Sequence, residues 1–275
     1  MIIEKQPGGC IRLLHDVEEI NKPYLLIRDI HLDNPKCDRK LLTKHLDEAM
    51  KRGAGILCFG DFFDAMQSKI DRRHNKSDLK GELKVANYLD ALVYSAAEFL
   101  EPYKENLFLM GIGNHESKYL QVLETDLIER LIRELNTPNL YKGGYHGFVR
   151  FQHSITKTSR RTTTMYYSHG NWGGIIGKGT QSIVRYASIA PDADIVVSGH
   201  IHEYWSTKHA QFKLTQNGAI KIVPQLHIKT ACYKEEFIQP DGWAIEKISM
   251  PKVMGGWWLT FHQEEDNIVA KASMT

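Results

Sequence analysis

Histidines, carboxylates and an asparagine recur in five short clusters along the chain. The clusters are Asp29–His31 (D-x-H), Gly60–Asp64 (G-D-x-x-D), Gly113–Glu116 (G-N-H-E), Ser168–Gly170 (S-H-G) and Gly199–His202 (G-H-x-H). Together they offer carboxylate, imidazole and amide groups but no thiolate, a donor set that suits Mn, Fe, Zn or Ni. One such cluster would be weak evidence, whereas five in a single chain predict a metal centre.

Apolar runs that precede these clusters predict the elements that must position them. We predict strands in 23–32, 55–64 and 105–116, and helices in 38–52, 85–100 and 123–135. This β-α-β-α-β alternation indicates an α/β core, in which binding sites form at the carboxyl ends of the strands. In extended backbone, residues i and i+2 point to the same side, so D-x-H and H-x-H would each direct two ligands to one place.

The sequence changes character after about residue 140, where strand-like runs follow one another with less helix between them. These runs are 145–155, 162–171, 193–203, 219–230 and 255–263. They predict a second sheet, antiparallel in part, packed beside the first. Because no linker, internal repeat or low-complexity tract interrupts the chain, we expect residues 1–275 to form a single domain.

Composition places the chain among ordinary globular proteins. It has 275 residues, 42% of them hydrophobic, and a formal net charge of +2. The four cysteines are scattered without a C-x-x-C pair, so we expect no disulfide framework and a reducing, cytoplasmic location. The first residues do not resemble a signal peptide, and no apolar stretch approaches the ~20 residues of a membrane span.

The order of the five clusters resembles the signature of the calcineurin-like metallophosphoesterase superfamily. That signature reads D-x-H, G-D-x-x-D, G-N-H-[DE], a lone histidine and then G-H-x-H, and here it runs from Asp29 to His202. The resemblance implies a four-layer α/β/β/α sandwich, in which two packed mixed sheets are flanked by helices. It also implies a phosphate-ester hydrolase with two divalent metal ions, Mn foremost and Fe, Zn or Ni as alternatives.

The resemblance also implies a role for each residue of the clusters. The ligands of the first ion would be Asp29, His31 and His202. The ligands of the second would be Asn114, His169 and His200, with Asp61 bridging both ions. His115 would be the catalytic residue at the scissile phosphate, Glu116 would orient the His115 ring, and Asp64 would fix a ligand histidine.

The substrate stays open at this point. A phosphodiesterase is the leading interpretation, with nucleic acid as a candidate substrate, as in the SbcD-type nucleases. Those nucleases carry a DNA-capping region, whereas the residues after His202 read mostly as strands of the second sheet. A phosphomonoesterase or protein phosphatase is an alternative, although no arginine neighbours Asn114–His115. The complete ligand set and His115 argue against a non-catalytic scaffold. The oligomeric state does not follow from the sequence.

Five further features lie outside the assigned roles. The basic stretch 68–82 is a solvated charge run or a phosphate-gripping lid beside the cleft. The glycine-rich stretch 172–180 fails the G-x-x-x-x-G-K-[ST] test, but its Lys178 is a candidate phosphate contact. Arg28, before the first cluster, either places a cation near the site or faces solvent. Phe62 and Phe63 are expected in the core, and Trp257 and Trp258 on opposite faces of a strand, one buried and one exposed.

Overall fold

The computed structural model describes residues 2–15, 19–65, 80–170, 177–238, 245, 250–265 and 267–275. The strands in these ranges are β1 (Ile2–Lys5), β2 (Ile11–His15), β3 (Tyr24–Ile27), β4 (Gly55–Cys58), β5 (Leu107–Met110), β6 (Tyr141–Lys142), β7 (His146–Ser154), β8 (Arg160–Ser168), β9 (Ile195–Ser198), β10 (Trp205–Leu214), β11 (Ile220–Lys229), β12 (Trp257–Glu264) and β13 (Asn267–Met274). The α-helices are α1 (Arg39–Lys51), α2 (Tyr88–Leu100), α3 (Asn114–Leu123), α4 (Leu127–Leu135) and α5 (Ser182–Ile189).

The strands form two mixed sheets. The first sheet has the order β13-β12-β3-β4-β5-β6, and the second has the order β1-β2-β7-β8-β9-β11-β10. In the first sheet β3, β4, β5 and β6 run parallel to one another, while β12 is antiparallel to both of its neighbours, β3 and β13. In the second sheet β8, β9 and β11 are parallel neighbours, and β10 closes one edge as the antiparallel partner of β11.

Successive side chains of β3 point alternately into two apolar cores, one on each face of the first sheet. Tyr24 and Leu26 pack into the core between the two sheets, whereas Leu25 and Ile27 pack into the core beneath α1, α2 and α4. A smaller apolar cluster joins the outer face of the second sheet to α5. A strand buried on both faces is apolar throughout, which explains the short hydrophobic runs of the sequence. The predicted arrangement of two packed mixed sheets flanked by helices is confirmed.

Two predictions about individual elements were wrong. The predicted helix 123–135 begins later, at Leu127, because Glu124 adopts a left-handed conformation (φ 50°) that ends the preceding helix α3 at Leu123, and the side chain of Asp126 caps α4 by accepting from Glu129 N. The strand predicted at 255–263 is β12, which pairs with β3 and so belongs to the first sheet rather than the second. The second sheet instead takes β1 and β2 from the start of the chain.

The tryptophan pair is on opposite faces of β12, as predicted, but neither side chain is exposed. Trp257 is 3% exposed in the core between the sheets, and Trp258 is 2% exposed in the core beneath the helices. Both are covered because β12 lies inside the first sheet, between β13 and β3. None of the helices in the described ranges combines the length and the apolar composition that a membrane span needs.

Candidate metal centre

All five clusters lie at the carboxyl ends of strands, and the third runs into the first turn of α3. The first three follow the parallel strands β3, β4 and β5, and the last two follow the parallel strands β8 and β9. Carboxyl ends of parallel strands meet at one edge of a sheet, so each sheet gathers its own clusters. The packed sheets then bring the two sets of loops together, as the ligand distances below show.

The backbone at five of the seven predicted ligands is left-handed rather than extended. Asp29, His31 and Asp61 have φ values of 46°, 50° and 48°, and His200 and His202 have values of 71° and 57°. Such a conformation is uncommon for residues with a side chain and is found where function holds it in place. The expectation that D-x-H and H-x-H converge through extended backbone was therefore wrong, because tightly turned loops bring these side chains together.

Asp29, His31 and His202 form the first ligand group. One ligand atom from each lies within 4.8 Å of the others. Asp29 Oδ1 and His31 Nε2 are buried and have no hydrogen-bond partner among the described residues. Buried polar atoms are nearly always paired, so these two need an explanation, and a cation between them supplies one.

The second ligand group consists of Asp61, His169 and His200, again with ligand atoms within 4.8 Å of one another. The side-chain oxygen of Asn114 lies 2.9 Å from His169 Nε2 and 2.9 Å from His200 Nδ1. The two histidines of G-H-x-H thus point into different groups. The groups are adjacent, since Asp29 Oδ1 of the first lies 3.9 Å from His169 Nε2 of the second.

Asp61 occupies the middle of the centre. Its Oδ2 lies 3.2 Å from His169 Nε2 and 3.9 Å from His115 Nε2, while its Oδ1 accepts from the backbone N–H of His115 at 3.0 Å. A Cβ on Gly113 would lie 2.0 Å from Asp61 Oδ1, so only glycine fits beside this carboxylate. Burial alone would raise the pKa of Asp61, but His169 and His115 hold it well below its usual range, and the carboxylate is ionised.

Asp64 links the catalytic candidate to the first ligand group. Its Oδ1 lies 2.8 Å from His31 Nδ1, which leaves His31 Nε2 directed into the group. Its backbone carbonyl accepts from His115 Nδ1 at 2.6 Å and fixes the His115 ring. Asn34 and Lys234, which the sequence analysis did not single out, hold the Asp64 carboxylate at 2.5 and 3.3 Å.

Glu116 does not orient the His115 ring, so that prediction was wrong. Its buried carboxylate accepts three backbone N–H groups, those of Asp61 at 3.1 Å, Phe63 at 2.9 Å and Gly113 at 2.8 Å. Burial, followed by the charge of Asp61, raises the pKa of Glu116. Glu116 therefore ties the loop after β4 to the start of α3 and positions Asp61 through its backbone.

Arg28 is a site residue whose role the sequence left undecided. It is fully buried, and its guanidinium donates to Asp29 Oδ2 at 2.9 Å and to the Ser168 carbonyl at 3.0 Å. The same guanidinium lies 2.7 Å from His169 Nδ1, so it contacts one ligand of each group. A Cβ on Gly199 would lie 2.1 Å from Arg28 Nε, which explains the glycine of G-H-x-H in this chain. Burial would raise the pKa of Asp29, but Arg28 and His169 lower it.

An Arg28→Lys variant should bind divalent metal about 10- to 100-fold more weakly than the wild-type protein, the usual cost of losing a group that orients ligands. A single ammonium cannot reach Asp29, Ser168 and His169 together as the planar guanidinium does. Calorimetric titration of chelator-stripped protein with Mn²⁺ measures the change. Arg133→Lys, on the exposed side of α4, is the matched control. Equal affinities for both variants and the wild type would contradict the role of Arg28.

The remaining sequence features divide into three groups. Phe62 and Phe63 are buried in the core beneath the helices, as predicted. Lys178 is exposed, and no described contact links its ammonium to the ligand groups. Residues 66–79, which make up most of the basic stretch, and residues 171–176 of the glycine-rich stretch lie outside the described residues.

Comparison with known proteins gives matches among solved structures. No family model and no curated protein matches the chain. Vacuolar protein sorting 29 from Cryptosporidium parvum matches with 12% identity and a TM-score of 0.39, over 93% of this chain and 98% of that one. Vps29 complexed with Zn²⁺ from Entamoeba histolytica matches with 10% identity and a TM-score of 0.37, over 92% and 98%. A metallophosphoesterase from Sphaerobacter thermophilus matches with 13% identity and a TM-score of 0.37, over 91% and 88%.

The motif order and the fold agree with each other. Five clusters that are spread from Asp29 to His202 meet at the edge where two packed mixed sheets join. In the order of these clusters and in the sheets that carry them, the chain resembles the calcineurin-like metallophosphoesterases.

Proposed function

We propose that the protein is a dinuclear metal-dependent hydrolase of phosphate esters, with phosphodiesters as its preferred substrates. The observation that carries this proposal is the meeting of two adjacent groups of nitrogen and oxygen ligands at one centre. The buried ligand atoms Asp29 Oδ1 and His31 Nε2, which lack partners among the described residues, fit a bound cation. The absence of thiolates from the groups fits Mn, with Fe, Zn or Ni as alternatives.

In this proposal each ligand group holds one divalent ion. The ligands of the first ion are Asp29, His31 and His202, and those of the second are Asn114, His169 and His200. Asp61, in the middle of the centre, would be the ligand shared by both ions. When bound, the two ions lower the pKa of water and offset negative charge on the phosphoryl oxygens.

His115 supplies the acid–base chemistry that the chain itself contributes. The hydrogen bond from its Nδ1 to the Asp64 carbonyl fixes the ring, and its Nε2 is turned toward Asp61, at 3.9 Å. Nε2 is therefore placed to touch an ester oxygen and to give a proton to the leaving group. Burial lowers the pKa of His115 from its ordinary value, so the cationic ring that carries a proton on Nε2 is a stronger acid but a smaller fraction of the protein at neutral pH.

The contacts of the Arg28 guanidinium favour a phosphodiester substrate over a phosphomonoester. A phosphomonoester dianion carries one more negative charge than a diester and is best held by an additional cation. Arg28 gives its donors to Asp29, Ser168 and His169, so this guanidinium is committed to the protein. The alternatives are a phosphomonoesterase or protein phosphatase, and a metal-stabilised scaffold without activity.

We also propose that residues 1–275 form one domain, because β3, β4 and β5 contribute to both large apolar cores. A cytoplasmic location is proposed as well. The free thiols of Cys10, Cys37, Cys58 and Cys232 support it, since disulfides are rare in reducing compartments.

Hydrolysis of bis-p-nitrophenyl phosphate and of p-nitrophenyl phosphate by chelator-stripped protein, with and without added Mn²⁺, tests the proposal. We expect metal-dependent turnover that favours the diester. Single- and double-stranded DNA, incubated in parallel, show whether nucleic acid is cleaved. A preference for the monoester would replace the diesterase with the phosphomonoesterase alternative. Inactivity with Mn²⁺, Fe²⁺, Zn²⁺ and Ni²⁺ on all four substrates would favour the scaffold.

A further inference from the structure

A basic groove lies on the outer helical layer, between α1 and α2. It has a volume of about 600 Å³, and its lining includes Arg39, Lys40, Lys44, Lys51, Asp47 and Phe99. We call this feature the α1 groove. Four of its side chains are cationic and one is acidic, whereas the whole chain carries a net charge of only +2. Positive charge is thus concentrated at this place, and clustered charge rather than the total attracts a polyanion.

The lysines of the α1 groove form one exposed stripe. Lys40, Lys44 and Lys51 are spaced by four and seven residues, so they lie on one face of α1, and all three are exposed. None of them has an acidic partner within the described part of the chain. The nearby acids are engaged elsewhere, since Asp47 accepts from the Tyr103 hydroxyl at 2.8 Å and Glu48 pairs with Arg52.

Arg39 and Phe99 form the inner end of the groove. The guanidinium of Arg39 lies over the Phe99 ring, 5.5 Å from its centroid, at the distance of a cation–π contact. A second contact ties Arg39 to the metal-ligand loop, because its Nη2 donates to the Leu32 carbonyl at 3.4 Å. The Lys80 ammonium donates to the same carbonyl at 2.8 Å.

These contacts connect the groove to the metal centre. Leu32 directly follows His31, so Arg39 and Lys80 contact the loop that carries this member of the first ligand group. From the start of α1 the stripe runs to Lys51, about 16 Å beyond Lys40 at about 1.5 Å per helical residue. A polyanion bound along the lysines would therefore have one end at Arg39, next to this loop.

We propose that the α1 groove binds the sugar–phosphate backbone of a single-stranded nucleic acid and presents it to the metal centre. This inference rests on the proposed function and names its substrate class. The stripe of about 16 Å is long enough to contact several successive phosphates of one backbone. One row of cations matches one backbone, and the Arg39 guanidinium over Phe99 supplies a further positive charge at the inner end.

The test is binding of a fluorescein-labelled single-stranded oligonucleotide to chelator-stripped protein, followed by anisotropy over a range of salt concentrations. The groove variant is the triple substitution Lys40→Gln, Lys44→Gln and Lys51→Gln. We expect at least a tenfold weaker affinity at low salt. The slope of log K against log salt should shrink by about 2, because each lost phosphate contact on a single strand removes about 0.7 from it.

A second triple variant, in the hairpin formed by β10 and β11, controls for the change in total charge. Lys208→Gln, Lys213→Gln and Lys221→Gln remove the same number of cations from exposed positions on β10 and β11. This variant should bind the oligonucleotide as the wild type does. Equal losses in the two variants would overturn the groove as the binding site. So would equal affinity of the wild type for polyglutamate, which would indicate an acidic protein partner instead.

Hydrolysis of bis-p-nitrophenyl phosphate by the wild-type protein is measured in parallel, because it tests the proposed hydrolase independently of binding at the α1 groove. Turnover of the small diester together with unchanged binding by the groove variant would overturn the groove alone. If only the groove variant loses oligonucleotide binding and the wild-type protein hydrolyses no ester, the proposed hydrolase function would be wrong and the α1 groove would remain a binding surface.

Discussion

An Asp61→Asn variant is expected to hydrolyse bis-p-nitrophenyl phosphate about a thousandfold more slowly than the wild-type protein. In the proposed mechanism Asp61 is the carboxylate shared by both ions, and its Oδ2 lies 3.2 Å from His169 Nε2. The amide keeps the size of the side chain but removes its charge and one anionic oxygen. Metal ions contribute several kcal/mol to such reactions, and a loss of about 4 kcal/mol corresponds to about a thousandfold in rate.

The metal content of the Asp61→Asn variant gives a second readout of the same claim. Equilibrium dialysis against Mn²⁺ should show less bound metal than in the wild type, because the proposal makes Asp61 a ligand in both groups. Asp192→Asn changes the charge equally at an exposed position and should alter neither quantity. Wild-type activity in Asp61→Asn would show that this carboxylate does not belong to the reaction centre.

A His115→Ala variant is expected to lose about 10²- to 10⁴-fold in diester hydrolysis, the usual contribution of an acid–base group. Its metal content should stay unchanged, because the proposal places His115 at the substrate rather than at an ion. The loss should be larger with a dinucleotide than with bis-p-nitrophenyl phosphate. Nitrophenolate leaves readily without a proton, whereas an alkoxide needs one.

The metal content of His115→Ala distinguishes the acid–base role of His115 from a role as a metal ligand. His31, Asp64 and His115 also bring ligand atoms within 4.8 Å of one another, so the geometry offers His115 a second role as a ligand. Loss of bound Mn²⁺ in His115→Ala would establish that role and contradict the acid–base assignment. His262→Ala, a histidine of β12 that contacts Thr260, controls for the loss of an imidazole.

Much of the first sheet could be predicted from the sequence because its strands and helices are encoded by apolar patterns within short contiguous segments. The strand Tyr24–Ile27 lies within the predicted range 23–32, and the helix Arg39–Lys51 within the range 38–52. A strand buried on both faces must be apolar, and a helix with one buried face must repeat its apolar residues every three to four positions. The cluster residues could be named for the same reason, since each motif is contiguous.

The rest depends on contacts between distant parts of the chain. β12 belongs to the first sheet because Trp257 lies opposite Leu26, and no local pattern records that pairing. The burial of Arg28 requires the missing side chain of Gly199, far away in the sequence. Glu116 binds backbone N–H groups from two loops, and such partners cannot be deduced from the letters G-N-H-E.

The most direct test of the central claim is a titration of chelator-stripped wild-type protein with Mn²⁺, in which bound metal and bis-p-nitrophenyl phosphate hydrolysis are followed together. The two ligand groups predict that hydrolysis rises with added metal and reaches its plateau when two ions are bound per chain. A plateau at one ion, or two bound ions without hydrolysis, would contradict a dinuclear hydrolase.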